Sequence, residues 1–346
     1  MMPPPLPLLP TTLVGSFPQP EWLVHKAMLT GEFPPRVRMA KVWRLTGAAL
    51  EAGQREAAQQ VVADLDAAGI DIVTDGEVGR ESYFNLFATG LGGIDLDRPG
   101  TAVSRTGRSM AVPRVAGPIV WEKSPLANAA RHLRSLTSKP IRVTVPGPFT
   151  LTSLAQDDHY RDPERLAHAY ATAVNHEVRA LHAAGVDIMQ LDEPYLQSRP
   201  AEARTYGISA INAALSGTTG TTALHLCFGY AYVVKDKPAG YSLLGELEQC
   251  AAQQISIEAA QPKLDLGVLT DLPSKDIILG VLDLGSPDIE TVDVVAARIR
   301  AALKVVAAPR LILAPDCGMK YLAHEVAMGK LRAMTAAARV VRAEIA

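Results

Sequence analysis

Eight short, β-branched apolar runs punctuate the sequence, and most are followed by a longer stretch of helical period. The runs are Thr12–Gly15, Ile70–Asp75, Ile141–Val145, Ile188–Asp192, Ala223–Cys227, Ile255–Glu258, Ile277–Leu282 and Arg310–Ala314. Such alternation is the pattern of parallel βαβ units with helices on the outside. Eight of them predict a single (β/α)8 TIM barrel of the α/β class rather than an open doubly wound sheet. The length of 346 residues would also allow two domains, at roughly 150 residues each. No low-complexity linker divides the chain, so residues 11–346 are expected to form one domain. A proline-rich leader, residues 1–10, with five prolines in ten residues, precedes it.

The intervening segments carry helix punctuation. Asp162, Pro163 and Glu164 read as an N-cap, a proline at the first helical position and an early acid. Leu166, Tyr170, Val174, Val178 and Leu181 follow close to helical spacing, and Gly185 fits the end. Val61, Leu65 and Ala68 form a similar stripe before Gly69. Two stretches break the rhythm. Residues 92–123 lack helical period and predict a β-hairpin excursion after strand two. Residues 16–42, with Pro18, Pro20, Pro34 and Pro35, predict a long loop after strand one. In a barrel such loops lie at the face where substrates bind.

Composition excludes several classes. With 34 Lys and Arg against 36 Asp and Glu, the formal charge is −2, so no bulk-charge nucleic-acid binder is expected. Hydrophobic residues make up 48% of the chain, which excludes a disordered one. The start has neither the basic nor the continuous apolar region of a secretory signal. No apolar run reaches the ~18 residues of a membrane span. Three cysteines exclude a disulfide scaffold and suit a reducing, cytoplasmic location.

Candidate chemistry collects at the strand ends. His225 and Cys227 stand two residues apart, so in a strand both project from one face. Cys317 follows the eighth run and Glu258 ends the sixth. His, Cys, Cys and a carboxylate suit a tetrahedral Zn²⁺ site, although an isolated His-x-Cys is more often core. Cys250, in a helical stretch, reads as structural. Asp75-Gly76-Glu77 and Asp192-Glu193-Pro194 place carboxylates at two further strand ends. They can bind a substrate ammonium, act as acid or base, or cap helices. Asp192 and Glu193 are adjacent, so only one faces the interior. Gly15-Ser16-Phe17-Pro18 and Pro146-Gly147-Pro148 offer either close backbone approach to a ligand or tight turns. No phosphate loop, dinucleotide fingerprint or nucleophile elbow is present.

Taken in order, Thr12-Leu13-Val14-Gly15-Ser16-Phe17-Pro18, Asp75-Gly76-Glu77, Leu191-Asp192-Glu193-Pro194, His225-Leu226-Cys227, Ser256-Ile257-Glu258 and Pro315-Asp316-Cys317-Gly318 resemble the catalytic C-terminal domain of cobalamin-independent methionine synthase. The resemblance runs from about residue 11 to the end and implies a short stand-alone relative. It implies a TIM barrel with Zn²⁺ held by His225, Cys227, Glu258 and Cys317. It places the homocysteine carboxylate near Gly15 and Ser16 and its ammonium near Glu77 and Asp192. A free thiol of pKa about 8.5 is mostly protonated at pH 7, and coordination to a cation removes that proton. Two thiolates and one carboxylate leave a zinc centre at a net charge of about −1, which keeps a bound thiolate nucleophilic. Glu258, the weaker oxygen ligand, is the natural one to leave when substrate sulfur arrives. Methyl transfer then needs sulfur and carbon in line at roughly 3–3.5 Å.

Two positions depart from the family pattern. Members carry a histidine, the acid for the departing pterin nitrogen, where this chain has Gly285. They carry a pterin-stacking tryptophan where it has Leu154. The expected donor is therefore a methyl-corrinoid or another small donor, with methyl-folate kept as the alternative and a donor protein as a candidate partner. His159 is the candidate replacement acid, against the alternative of a solvated loop histidine. The competing readings are alkyl transfer to another thiol such as coenzyme M, and a non-catalytic thiol- or corrinoid-binding protein. A related decarboxylase is disfavoured, because that chemistry uses no such metal set.

Overall fold

Capping chemistry locates the helices. The Asp162 carboxylate accepts from Glu164 N and Arg165 N, opening the helix Pro163–Ala183, and Gly185 follows its end at φ 93°. The helix Gly47–Ala68 stops at Gly69, in the left-handed region at φ 78°, a conformation that glycine adopts without Cβ strain. Both helices turn their apolar stripes, Val61, Leu65 and Ala68 in one and Leu166, Tyr170, Val174 and Leu181 in the other, into one large core.

The computed structural model describes residues 5–30, 34–104, 107–231, 234, 237–238 and 240–345. Among these, the strands in chain order are β1 (Gly92–Val103), β2 (Ser109–Val120), β3 (Arg142–Pro146), β4 (Gln156–Asp157), β5 (Ile188–Asp192), β6 (Thr221–Leu226), β7 (Gln254–Ile257), β8 (Asp276–Leu282) and β9 (Leu311–Pro315). The main sheet is six-stranded, in the order β3-β5-β6-β7-β8-β9, and every pair in it is parallel. This is an α/β fold on a parallel sheet. β1 and β2 pair antiparallel, with β4 added beside β2, in a separate small sheet.

Six of the eight expected runs form the main sheet. The first two, Thr12–Gly15 and Ile70–Asp75, contribute only parallel bridges: Thr11 with Leu313, Thr12 with Ile72, and Val73 with Ile141. Backbone bonds hold them, Thr12 N donating to Leu313 O at 2.9 Å, Ile72 N to Thr11 O at 3.0 Å and Val73 N to Pro140 O at 2.9 Å, and Thr11 N and Oγ1 add bonds to Asp71 Oδ2 at 2.9 Å. The expected loop 16–42 contains the short helices Lys26–Thr30 and Ala40–Val42, with residues 31–33 outside the described ones. Of the expected leader, residues 1–4 also lie outside, whereas Leu9 is fully buried and Pro10 O accepts from Leu313 N at 2.8 Å. No described helix is long and apolar enough to cross a membrane.

The faces of the sheet divide the labour. Val143, Val145, Met189, Leu191, Leu224 and Ile255 point into the main core. The opposite face carries a small layer of its own: Val14, Ile72, Ile188, Ala223, Ile278, Ile312 and Ala314. Residues two or four further along the same strands, Asp192 after Ile188 and His225 after Ala223, share that second face by strand alternation. Apolar residues thus form its floor, and polar ones stand at the carboxyl ends of the strands.

Candidate metal centre

His225 is the penultimate residue of β6, and Cys227 follows immediately after the strand. Cys317 lies two residues past the end of β9. All three are buried, at 3%, 7% and 6% exposure. Their ligand atoms, one from each side chain, lie within 4.8 Å of one another. The strand register places Ser256 of β7 opposite His225. The Ser256 Oγ shares a hydrogen bond of 2.9 Å with His225 Nδ1, while the buried Nε2 has no hydrogen-bond partner. Leaving such an atom unsatisfied costs on the order of 1–3 kcal/mol, a cost a coordinated cation removes. The donor set of imidazole and two thiols, with the second ring nitrogen tied to a neighbour, fits Zn²⁺.

Electrostatics points the same way. The Cys317 thiol is pushed well above its ordinary value by its hydrogen bond with Cys227 and then by burial. Burial pulls the His225 ring down, but Cys227 and Asp192 together raise it. A Cys317 thiol crowded in this way holds its proton until a cation displaces it.

Glu258, the fourth expected ligand, is fully buried just past β7, yet lies outside the group in mutual reach. Its Oε1 accepts from Phe228 N at 3.0 Å, and its Oε2 pairs with Lys237 Nζ. Burial, reinforced by Cys227 and opposed by Lys237, raises its pKa well above the carboxylate range. Asp316 fixes the turn beyond it. Its Oδ1 accepts from Ala259 N and Ala260 N at 3.0 and 2.9 Å, and its Oδ2 from Gln261 N at 2.6 Å. A Cβ on Gly280 would stand 2.1 Å from Asp316 Oδ1, so that strand position has room for glycine alone.

Gly15, Ser16, Glu77 and Asp192 line the same pocket as His225, Cys227 and Cys317, with Tyr83 and Tyr230 completing the wall. Glu77 sits at φ 56°, in a turn where Thr74 Oγ1 accepts from Gly76 N at 2.9 Å and Asp75 Oδ1 from Glu77 N at 3.0 Å. Its Oε1 accepts from Thr144 Oγ1 at 2.7 Å. A chain of amide bonds aims Asp192. Arg142 Nη1 donates to Gln190 Oε1 at 3.2 Å, and Gln190 Nε2 donates to Asp192 Oδ1 at 2.8 Å. Burial pushes Asp192 up to about 7, with His225 opposing and Glu77 adding to the rise. A pocket with two such carboxylates favours a cationic substrate group. Ser16 Oγ and Tyr230 Oη lie 3.2 Å apart, and a Cβ on Gly318 would come within 2.5 Å of Ser16 Oγ.

Other expected residues have structural places. Glu193 faces away from the pocket and accepts from Phe149 N, Thr150 N and Thr150 Oγ1 at 2.7–2.9 Å. The Pro146-Gly147-Pro148 segment is therefore a turn shaped around that carboxylate, because a Cβ on Gly147 would sit 2.1 Å from Glu193 Oε1. Cys250 is buried in the main core. Leu154 is fully buried there as well, so it presents no stacking surface. His159 is exposed, edge-on to Tyr160 at 4.8 Å between ring centroids, and is not brought to the pocket. Gly285 lines an adjoining cleft of about 130 Å³ that shares Tyr230 and Gly318 with the first pocket. Sequence reasoning missed Ser256, Tyr230, Lys237 and Asp316. Ser256 and Asp316 stood within the motifs of the resemblance, but neither carried a sign of its own role.

The sequence profile described as "Cobalamin-independent synthase, Catalytic domain" matches residues 9–340. The chain belongs to this family. Similar proteins named methionine synthase include those of Saccharolobus solfataricus, 29% identical over 98% of this chain and 97% of that protein, and Thermococcus kodakarensis, 28% identical over 99% and 96%. A solved B12-independent methionine synthase from Shewanella sp. W3-18-1, in complex with selenomethionine, is 34% identical, covers 98% of this chain and 99% of its own, and has a TM-score of 0.89. A second such structure, from Listeria monocytogenes, shares the fold at 20% identity and a TM-score of 0.72. The resemblance read from the short motifs thus extends over the family's catalytic domain.

Proposed function

We propose that this chain is a zinc-dependent methyltransferase that converts homocysteine to methionine. The observation that carries the reading is the convergence of His225, Cys227 and Cys317 on one point, with a buried Nε2 left unpartnered, in the pocket that also holds Glu77 and Asp192. We read Glu258 as the exchangeable fourth ligand. The relatives' name and the selenomethionine in the Shewanella structure support a thiol amino acid as substrate.

Each group has a task in this reading. The Gly15–Ser16 backbone receives the substrate carboxylate, while Glu77 and Asp192 receive its ammonium. Binding the ammonium draws Asp192 into its charged form. Ser256 holds the His225 ring so that Nε2 faces the thiols. Zinc, when bound, supplies the positive charge that keeps a coordinated thiol deprotonated at neutral pH. Tyr230 stands between the amino-acid pocket and the adjoining cleft, where a donor can approach the sulfur.

The cleft also bears on the donor. Among the described residues, its lining includes the hydroxyls of Tyr230 and Tyr321 but no carboxyl, imidazole or amine. Burial and Glu77 raise Tyr230 well above its ordinary value, which makes it a poor proton donor. A methyl group carried on a corrinoid leaves without needing a proton, so we place a methyl-corrinoid, free or on a donor protein, ahead of methyl-folate. Coenzyme M is disfavoured as the acceptor, since its sulfonate would meet Glu77 and Asp192.

We further read the bridges at Thr11, Thr12 and Val73 as closing the sheet into a (β/α)8 barrel, with β1 and β2 as the hairpin excursion. Residues 11–346 form one catalytic domain, extended by the packed Leu9 and Pro10, and act in the cytoplasm. Turnover of homocysteine with methylcobalamin, methyltetrahydrofolate and S-adenosylmethionine tests the activity. Methionine from the corrinoid supports the reading. No product from any donor, by zinc-loaded protein that binds homocysteine, would favour the binding-protein alternative.

A further inference from the structure

Lys237 is a lysine with a side chain only 1% exposed, paired with a Glu258 side chain that is 0% exposed. Charged groups are seldom buried so fully, and removing one partner of such a pair is strongly unfavourable. Lys237 reaches Glu258 from the loop after β6, while Glu258 stands at the end of β7. Phe228 N takes the other carboxylate oxygen at 3.0 Å. Tyr241 Oη accepts from Glu258 N at 2.8 Å, anchoring the main chain on which the side chain turns. Both oxygens thus have partners while Glu258 lies outside the cluster of His225, Cys227 and Cys317.

We propose that Lys237 is a positioning residue that receives the Glu258 carboxylate when homocysteine takes its place on the metal, so that the pair acts as an exchange latch. The inference rests on the zinc and homocysteine reading above. In the exchange the bond from the Glu258 oxygen to the metal breaks and one from the substrate sulfur forms. The thiol proton passes to solvent. The incoming thiolate adds a negative charge to a site that already holds two thiolates, and the displaced carboxylate would stand buried and unpaired. Lys237 and Phe228 N supply the waiting place for that carboxylate.

A latch predicts coupling between Lys237 and Glu258 that a nearby positive charge does not. The test is a double-mutant cycle with Lys237→Met, Glu258→Gln and the double variant. Zinc content is measured first. Zinc retention against a chromophoric chelator and calorimetric homocysteine binding are then followed. Lys237→Met is expected to hold zinc more tightly and to weaken homocysteine binding about tenfold or more. In the Glu258→Gln background the same substitution should change neither. Lys237→Arg, which keeps the cation, should bind homocysteine close to wild type and covers the case in which the methionine variant does not fold. Equal effects of Lys237→Met in both backgrounds, or wild-type behaviour of that variant, would overturn the latch. So would loss of binding in Lys237→Arg when Lys237→Met does not fold. Absence of zinc from the wild-type protein would instead overturn the functional reading beneath it.

Discussion

His225 and Ser256 face each other across the β6–β7 register, and the 2.9 Å bond between Nδ1 and Oγ decides which ring nitrogen is left for a metal. A bond from the second nitrogen fixes ring orientation and tautomer. Ser256→Ala should therefore lower zinc affinity by about 10–100-fold with little loss of fold. A competition titration against a chromophoric chelator reads this directly. Unchanged affinity would mean that the ring is held by its packing alone.

Asp192 offers a pH test on the metal-free protein. Its folded value, raised by burial to about 7, lies above that of an unfolded aspartate, about 3.9. Between these values the folded chain keeps a proton that the unfolded chain has released, so this group makes stability fall as pH rises. Asp192→Asn cannot ionise. Its stability relative to wild type should climb between pH 5 and 7, at up to about 1.4 kcal/mol per pH unit. Urea midpoints of chelator-treated protein measure the difference, and parallel pH curves would contradict it.

Gly147 tests the structural role given to Glu193. With the added Cβ 2.1 Å from Glu193 Oε1, Gly147→Ala has to push a capped, buried carboxylate off its three donors. The expected loss is about 1–3 kcal/mol of stability, seen as a lower urea midpoint. Zinc content should stay at wild type, because the turn lies on the side of β5 away from the pocket.

His159 stands exposed against Tyr160. In that place His159→Asn should keep methyl transfer from methylcobalamin within about twofold. A general acid is worth about 10²–10⁴ in rate, so a loss of that size would return the acid to His159.

Much of this was legible because the constraints were local. Strand alternation placed His225 and Cys227 on one face, and six of eight runs became the parallel sheet. Adjacent Asp192 and Glu193 had to face opposite ways, and they do: one lines the pocket and the other caps a turn. What stayed hidden depends on contacts between distant segments. Lys237 lies 21 residues from Glu258, in a loop with no period. Ser256 gains its role only from register with β6. Asp316 looked like part of a ligand motif, but its carboxylate is spent on the N–H groups of Ala259, Ala260 and Gln261. The place of Pro10 was hidden for the same reason, since its carbonyl O finds its donor, Leu313 N, at the far end of the chain.

Zinc-edge X-ray absorption of the protein, with and without homocysteine, tests the central claim most directly. The account predicts one zinc per chain with a nitrogen, two sulfurs and an oxygen, and on adding homocysteine the oxygen replaced by a third sulfur at about 2.3 Å. A spectrum unchanged by homocysteine, or a protein that retains no zinc, would contradict it.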